Sequence, residues 1–507
     1  MIRGKGEEGK GKGAFYPFPL FPFFPASLGD FMVHHRSRLA LLLCIALIGT
    51  STPAIAQDAK DAKPRATQVL ERNVRAELGF LASDSMQGRL SASNYERIAA
   101  EYIGSMFRQF GLEPGGDTDA TNSPGFVQRV ALETGRFVST PAVTAGSKSW
   151  QYGKDFLVTG IRVPRLSGEL QIVEGEAPLT RGSVALIRVP ESADLQQQQA
   201  RIRAARASHA AAVVLLESDR ARRQREAGAR LPAVNARLVG EQVTQSVPVF
   251  SFSKEAFNEL AGLGNGTRVE FAAEMQADPA AATWNVIGVL RGSDPNGEVI
   301  MLSAHLDHLG TNEGGTGDII FNGADDDASG CVAVLEMARA LSSGKRPRRT
   351  IYFICFGSEE RGGHGARYFI DHSPVPLEKI VADITFEMLG RPDAKVAANT
   401  LWLTGYERST LGPELARQGA RLVADPHPEQ NFFQRSDNYT LALRGVVAHT
   451  VSSFGLHTDY HRVTDDLSKV DFPFMTRSID SMIAPVRWLA NSSFRPAWLP
   501  GQKPVRN

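Results

Sequence analysis

Cysteine is scarce in this chain, with three residues in 507. Cys44, Cys331 and Cys355 are too few for a disulfide framework, and none has the paired spacing of a structural zinc site. Cys331 and Cys355 sit inside apolar runs and read as buried thiols. Charge of one sign is lacking too. A net charge of +1 gives no reason to expect nucleic acid or an acidic surface as partner. No repeat of fixed period is visible. The apolar run Leu39 to Gly49 is too short to cross a bilayer. What remains is the composition of an ordinary soluble globular protein, 42% hydrophobic and 22% charged, long enough for two or three domains.

The N-terminus reads as a targeting segment. A basic stretch, His34-His35-Arg36-Ser37-Arg38, precedes the apolar run, and Ala54-Ile55-Ala56 supplies an A-x-A cleavage pattern. Residues 1–31 do not belong to that pattern, so Met32 is a candidate start. Residues 1–56 are therefore expected to be leader and signal peptide. The mature chain would begin near Gln57 and work in a periplasmic or extracellular space, without stable membrane association. Leu41-Leu42-Leu43 before Cys44 lacks the small residues of a lipid-attachment signal.

Three patterns follow along the chain. Residues 70–134 open with two helical patterns, NVRAELGFLASDSMQGR as one amphipathic segment and Tyr95 to Phe110 as another, closed by Gly111 and a turn at Pro114-Gly115-Gly116. Residues 135–275 carry short β-like runs, GELQIVE, GSVALIRV, AAVVLLE and VPVFSFS, with a helix at Leu195 to Ala211, and read as a small inserted β-rich domain. The arginines of its helical stretches, Arg201, Arg203, Arg206, Arg220, Arg222, Arg223 and Arg225, read as a solvated face. From 276 to 495 strands alternate with helices, including Ala328 to Ser342, ERSTLGPELARQGARL and Phe472 to Asn491. That alternation predicts an α/β fold with a mostly parallel central sheet and helices on both faces. Residues 496–507 read as a tail.

The chemistry-bearing residues fall in this last region, each at the edge of an apolar run: SAHLDHLG, GADDDASG, FICFGSEERGG, ITFEMLG and DYHRVTDD. In open α/β sheets ligands bind beyond the carboxyl ends of strands, and His305, Glu359-Glu360 and Glu387 fall there. His and carboxylate together suit divalent metals such as zinc. Asp307, two residues after His305, is a candidate to hold its second ring nitrogen. Three consecutive aspartates repel one another, and a cation relieves that repulsion. Asp326 is the expected bridge, with Asp325 and Asp327 as caps or supports. Of the adjacent glutamates, Glu360 is assigned as ligand and Glu359 as general base. Glu387 interrupts an apolar strand, where it must bind a cation or pair with an arginine such as Arg391. Residue chemistry alone leaves His457 and His461 both open. The donor surplus over one tetrahedral ion points to two metals with a carboxylate left to move protons.

These motifs, in this order over residues 285–490, resemble the di-zinc aminopeptidase family, which includes secreted bacterial aminopeptidases and glutamate carboxypeptidase-type proteins. The resemblance implies two Zn2+ per chain, one held by His305 and Glu387, the other by Glu360 and His461, with Asp326 between them. It favours His461 over His457, places Tyr460 where it would help hold the tetrahedral intermediate, and implies a cis peptide bond after Asp326. It also implies that the middle stretch is a protease-associated domain. Two positions depart from the family pattern: Glu387 stands where many members have Asp, and the glycine usual after the early Gly-Arg pair is absent at Gly88-Arg89-Leu90-Ser91-Ala92. The implied activity is removal of N-terminal residues from peptides, with Glu359 taking a proton from a metal-held water. A carboxypeptidase, dipeptidase, glutaminyl cyclase or non-catalytic binding protein on the same scaffold would share much of this pattern. The oligomeric state is not encoded legibly.

Overall fold

The computed structural model describes residues 67–505 apart from 119–121, 176, 189–194, 227, 229–230, 232–233, 242–246, 295–296 and 313–315. The expected leader, its cleavage position and Cys44 lie outside the described residues. No helix among the described residues is long and apolar enough to cross a membrane.

A large mixed sheet carries β1 (Val127–Glu133), β2 (Ala282–Leu290), β3 (Val299–His305), β4 (Thr350–Phe356), β5 (Ile380–Phe386), β6 (Leu401–Leu403), β7 (Leu422–Ala424) and β8 (Ala448–Ser452). Their order is β1-β2-β4-β3-β5-β8-β6-β7. The centre, β4-β3-β5-β8, is parallel. The flanking pairs β1/β2, β2/β4 and β8/β6 are antiparallel. The expected parallel sheet is thus the core of a mixed one.

Alternation along β3 explains why helices cover both faces. Ile300, Leu302 and Ala304 point into one apolar cluster, where they meet α1 (Glu71–Leu81), α2 (Asn94–Gln109), α3 (Gly330–Ser342) and α4 (Phe472–Asn491). Val299 and Met301 point into another, with Phe369, Ile370, Leu441 and Ala442. Each fully buried side chain of this size contributes roughly 1.5–3 kcal/mol. The carboxyl ends of the four parallel strands therefore stand on a well-packed base.

The middle stretch builds a second, eight-stranded sheet with a separate core around Phe156, Phe250, Phe252 and Phe271. It is not wholly detached. Arg237–Leu238 returns to the large sheet and pairs antiparallel with β1, Leu238 opposite Leu132.

Several expectations change in detail. The first amphipathic segment is two elements. Its helix ends at Leu81, and Gly88 then turns at φ 65°, where a Cβ would lie 2.3 Å from the Gly310 carbonyl oxygen. The helix expected over ERSTLGPELARQGARL is only Leu411–Arg417; Ser409 instead bridges to Trp498, and Gly419 at φ 99° ends the turn that follows. The helix from Leu195 stops at Ala207 rather than Ala211. The tail is stitched down: Trp498 donates its indole N–H to the Gly445 carbonyl at 3.2 Å and rests against Phe433 and His449.

Candidate metal centre

Each expected ligand follows a strand of the parallel core or the turn beside it. His305 ends β3, Glu359 and Glu360 follow β4, Glu387 follows β5, and His461 lies in the loop after β8. Asp326 sits in the turn that leads into α3, and the Asp326–Asp327 peptide is cis. Three non-glycine residues at this rim, Ser358, Met388 and His461, hold left-handed φ values of 55°, 56° and 55°. Such backbone is retained where neighbours over-determine it, and here each sits at or beside an expected functional side chain.

These side chains converge. His305 Nε2 lies 3.2 Å from Asp326 Oδ1. His461 Nε2 lies 3.2 Å from Asp326 Oδ2 and 3.3 Å from Glu360 Oε2. Donor atoms of His305, Asp326 and Glu387 lie within 4.8 Å of one another, and so do those of His308, Asp326 and Glu360. Asp326 belongs to both groups, which is the position a bridging carboxylate must occupy. The nitrogen and oxygen donors suit zinc. Glu387 Oε2 is buried with no hydrogen-bonding partner among the described residues, the state a cation would relieve. The glutamate reaches the cluster despite its extra methylene, and Arg391 is engaged elsewhere, with Asp459 at 2.7 Å and Asp465 at 3.1 Å.

The aspartate run separates into roles. Asp327 accepts backbone N–H bonds from Gly330 at 2.9 Å, Met388 at 3.1 Å and His305 at 3.2 Å, joining the turn to two strand ends. Asp325 accepts from Gly390 N–H at 2.6 Å and contacts His457 Nε2 at 2.9 Å. Asp465, from the DD pair of the last motif, receives the backbone N–H groups of Asp325 and Asp326, both at 3.1 Å. His457 therefore supports Asp325, and His461 is the histidine facing the cluster.

Asp307 does something other than expected. His305 Nδ1 is 3.2 Å from the Asp307 carbonyl oxygen and 3.8 Å from its carboxylate, too far for a hydrogen bond to the latter. The carboxylate instead receives the N–H of Glu359 at 2.9 Å and of Glu360 at 3.3 Å, and the hydroxyl of Ser91. The HLDH turn thus braces the glutamate pair as well as supplying His305.

His308 was not singled out by sequence reasoning. Its Nδ1 lies 2.8 Å from Glu360 Oε1 and 3.9 Å from Asp326 Oδ2. The second histidine of HLDH was the available signal. Arg89 was likewise legible only as half of a Gly-Arg pair. It is buried and donates to the carbonyls of Leu81, Leu306, Asn322 and Gly323, tying the N-terminal segment to the strand end that carries the site.

Electrostatics divide the acids. Burial raises the Glu359 carboxyl well above the usual range; His305 opposes this, and Asp437, Glu387 and Glu360 add to it. Burial also lifts Glu387, to about 6. Burial would raise Asp326 as well, but His305 and His461 hold it well below the usual range. The Tyr460 phenol is pushed up, by burial first and then by Asp326 and Glu360, so it stays a hydrogen-bond donor.

Two cavities meet the cluster. Glu387 and Tyr460 line a narrow one of about 30 Å3, walled by Met388, Trp402, Phe432 and Phe454 with Arg435 beside them. Glu360 lines a wide one of about 730 Å3 on the other side.

The chain is similar to several known proteins. Leupeptin-inactivating enzyme 1 of Streptomyces exfoliatus is 34% identical over 115 residues, 22% of this chain and 24% of that protein, so the chain spans about a quarter of that relative's length. Aminopeptidase YwaD of Bacillus subtilis is 23% identical over 70% of this chain and 71% of its own. The solved structure of BSAP, a zinc aminopeptidase from Bacillus subtilis, superposes with a TM-score of 0.53 at 17% identity, covering 87% of this chain and 100% of that one. At that identity the likeness carries the fold. Residues 285–486, which contain every expected metal ligand, match the model of peptidase family M28.

Proposed function

We propose that this protein is a zinc-dependent exopeptidase, most consistent with an aminopeptidase, acting on peptides in a periplasmic or secreted setting. The observation that carries the reading is the position of Asp326, shared by two donor groups that each hold a histidine and a glutamate. In this proposal His305 and Glu387 would hold one zinc and Glu360 and His461 the other, with Asp326 shared; His461 Nε2 lies 3.2 Å from Asp326 and 3.3 Å from Glu360. His308, bonded to Glu360, keeps that carboxylate oriented. Bound zinc would act as a Lewis acid on the scissile carbonyl and make a water nucleophilic at neutral pH.

The chain's own residues do the rest. Glu359, raised in pKa by burial, takes the proton of the attacking water and returns it to the leaving amine. Its backbone is fixed by Asp307, so the carboxylate is presented without searching. Tyr460, kept protonated, donates to the developing oxyanion. The narrow cavity at Glu387 has room only for a small side chain, and the wide cavity at Glu360 receives the rest of the peptide. A small cavity on one side and a wide one on the other fits removal of a terminal residue. The unit spanning 135–275 would be the inserted, protease-associated-like domain, and residues 70–134 with 276–495 the peptidase domain.

The test is a panel of aminoacyl-anilides, N-acylated peptides and free dipeptides, assayed as purified, after chelation and after zinc return. The proposal expects cleavage only where the amino terminus is free, lost with chelator and restored by zinc. Cleavage that needs a free carboxylate but tolerates a blocked amine would instead favour a carboxypeptidase.

A further inference from the structure

The wide cavity has a chemical character of its own. It lies along the seam between the second sheet's unit and the peptidase fold, with Arg162, Arg206 and Asn235 from the former and Ser91, Glu360 and Arg361 from the latter. Three guanidiniums therefore face a space whose one carboxylate, Glu360, is committed to His308 and His461. Among the described residues none of the three has an ion-pair partner. Arg162 is half-buried, and its Nε is buried with no hydrogen-bonding partner among the described residues. The nearby acid Glu241 is engaged by Arg367. Arg206 is exposed, as expected of a solvated helix face, and like the exposed Arg361 it lines this open cavity.

A cleft with an excess of guanidinium concentrates anions, and the planar fork of arginine matches a carboxylate bidentately. The cavity's volume of about 730 Å3 is that of a small-ligand site, and Glu360 places it at the metal cluster. We propose that Arg162, Arg206 and Arg361 form a subsite for a carboxylate on the leaving side of the scissile bond, so that the enzyme selects short peptides whose departing part is anionic. This rests on the exopeptidase reading and names its substrate class. The carboxylate comes either from the free C-terminus of a dipeptide or from an acidic side chain just after the bond. It also gives the inserted unit a function: it supplies two of the three arginines, and without it the subsite is open.

The experiment uses the full-length zinc-loaded protein and matched substrates. Ala-Phe against Ala-Phe-amide tests the main-chain carboxylate. Ala-Glu-amide against Ala-Gln-amide tests the side-chain one. Alanine p-nitroanilide reports peptidase activity with neither. In the wild type at least one pair should favour the acid by about tenfold or more in kcat/KM, the size expected of a charge-assisted contact. Added salt should lower that ratio. Arg206→Glu combined with Arg361→Glu should bring it to about one, and the single alanine variants should lie between. Anilide cleavage with both wild-type ratios near one, or a ratio that survives in the double variant and in high salt, overturns the subsite alone. Failure to cleave the anilide and every peptide overturns the exopeptidase reading and the subsite with it.

Discussion

His457 and Asp325 meet at 2.9 Å, imidazole Nε2 to carboxylate Oδ2. That contact separates two histidines only four residues apart: His457 steadies the aspartate turn, and His461 faces the carboxylates. The two should behave differently when removed. His461→Ala is expected to lower zinc from two per chain to one and to abolish turnover. His457→Ala should keep both ions and lose only part of the rate. Elemental analysis after dialysis distinguishes them, and equal zinc contents would contradict the assignment.

His308 Nδ1 contacts Glu360 at 2.8 Å, and its buried Nε2 has no hydrogen-bonding partner among the described residues. If it orients Glu360, His308→Ala weakens the second zinc by about 10–100-fold without removing the site. Competition with a chromogenic chelator measures this. An unchanged affinity would show that Glu360 is held well enough by its backbone.

Arg89 supplies donors to four buried carbonyls. Burial lowers its pKa, the cost of placing a guanidinium there. Arg89→Met strands those oxygens and should destabilise the fold by about 3 kcal/mol or more. Arg89→Lys should recover only part of this, since an ammonium cannot span the four acceptors. Denaturant midpoints read the effect, and an unshifted midpoint for Arg89→Met would reject it.

Asp383, inside β5, accepts from Ser303 at 2.8 Å and from Thr385 at 2.9 Å, yet burial lifts its pKa to about 7. The folded state thus keeps a proton that the unfolded chain releases from about pH 4 upward. Its contribution is full below that pH, declines as pH rises toward 7, and is gone above it. Asp383→Asn should therefore raise thermal stability relative to wild type at pH 8.5 and make little difference at pH 5. A pH-independent difference would contradict this.

The fold and most of the site were legible in the sequence for identifiable reasons. The unbroken apolar run of RTIYFICF marks a strand covered on both faces, and the polar residues that interrupt such runs mark strand ends. His305, Asp326, Glu360 and Glu387 stand out because each sits at one of those interruptions, whereas His461 is separated from His457 only by the family resemblance. What was not legible depends on residues distant in sequence. Asp307 reads as a partner of His305 because they are two apart, but its carboxylate turns toward Glu359, fifty-two positions away. His308 is hidden by its neighbour in the same tetrapeptide. Arg206 is solvated as its polar helix face suggests, with Ala205 buried beside it, but that it also lines a cavity depends on the seam between two sheets. The short β6 and β7 were missed because three residues carry no period.

The central claim is that Glu359 moves the proton while His305, Asp326, Glu360, Glu387 and His461 hold two zinc ions. Its most direct measurement is Glu359→Gln, assayed together for metal content and for hydrolysis of an aminoacyl-anilide. The account predicts two zinc per chain, as in wild type, with kcat reduced by about 10²–10⁴-fold. Turnover near wild type with both ions bound, or fewer than two ions in the wild-type protein itself, would contradict it.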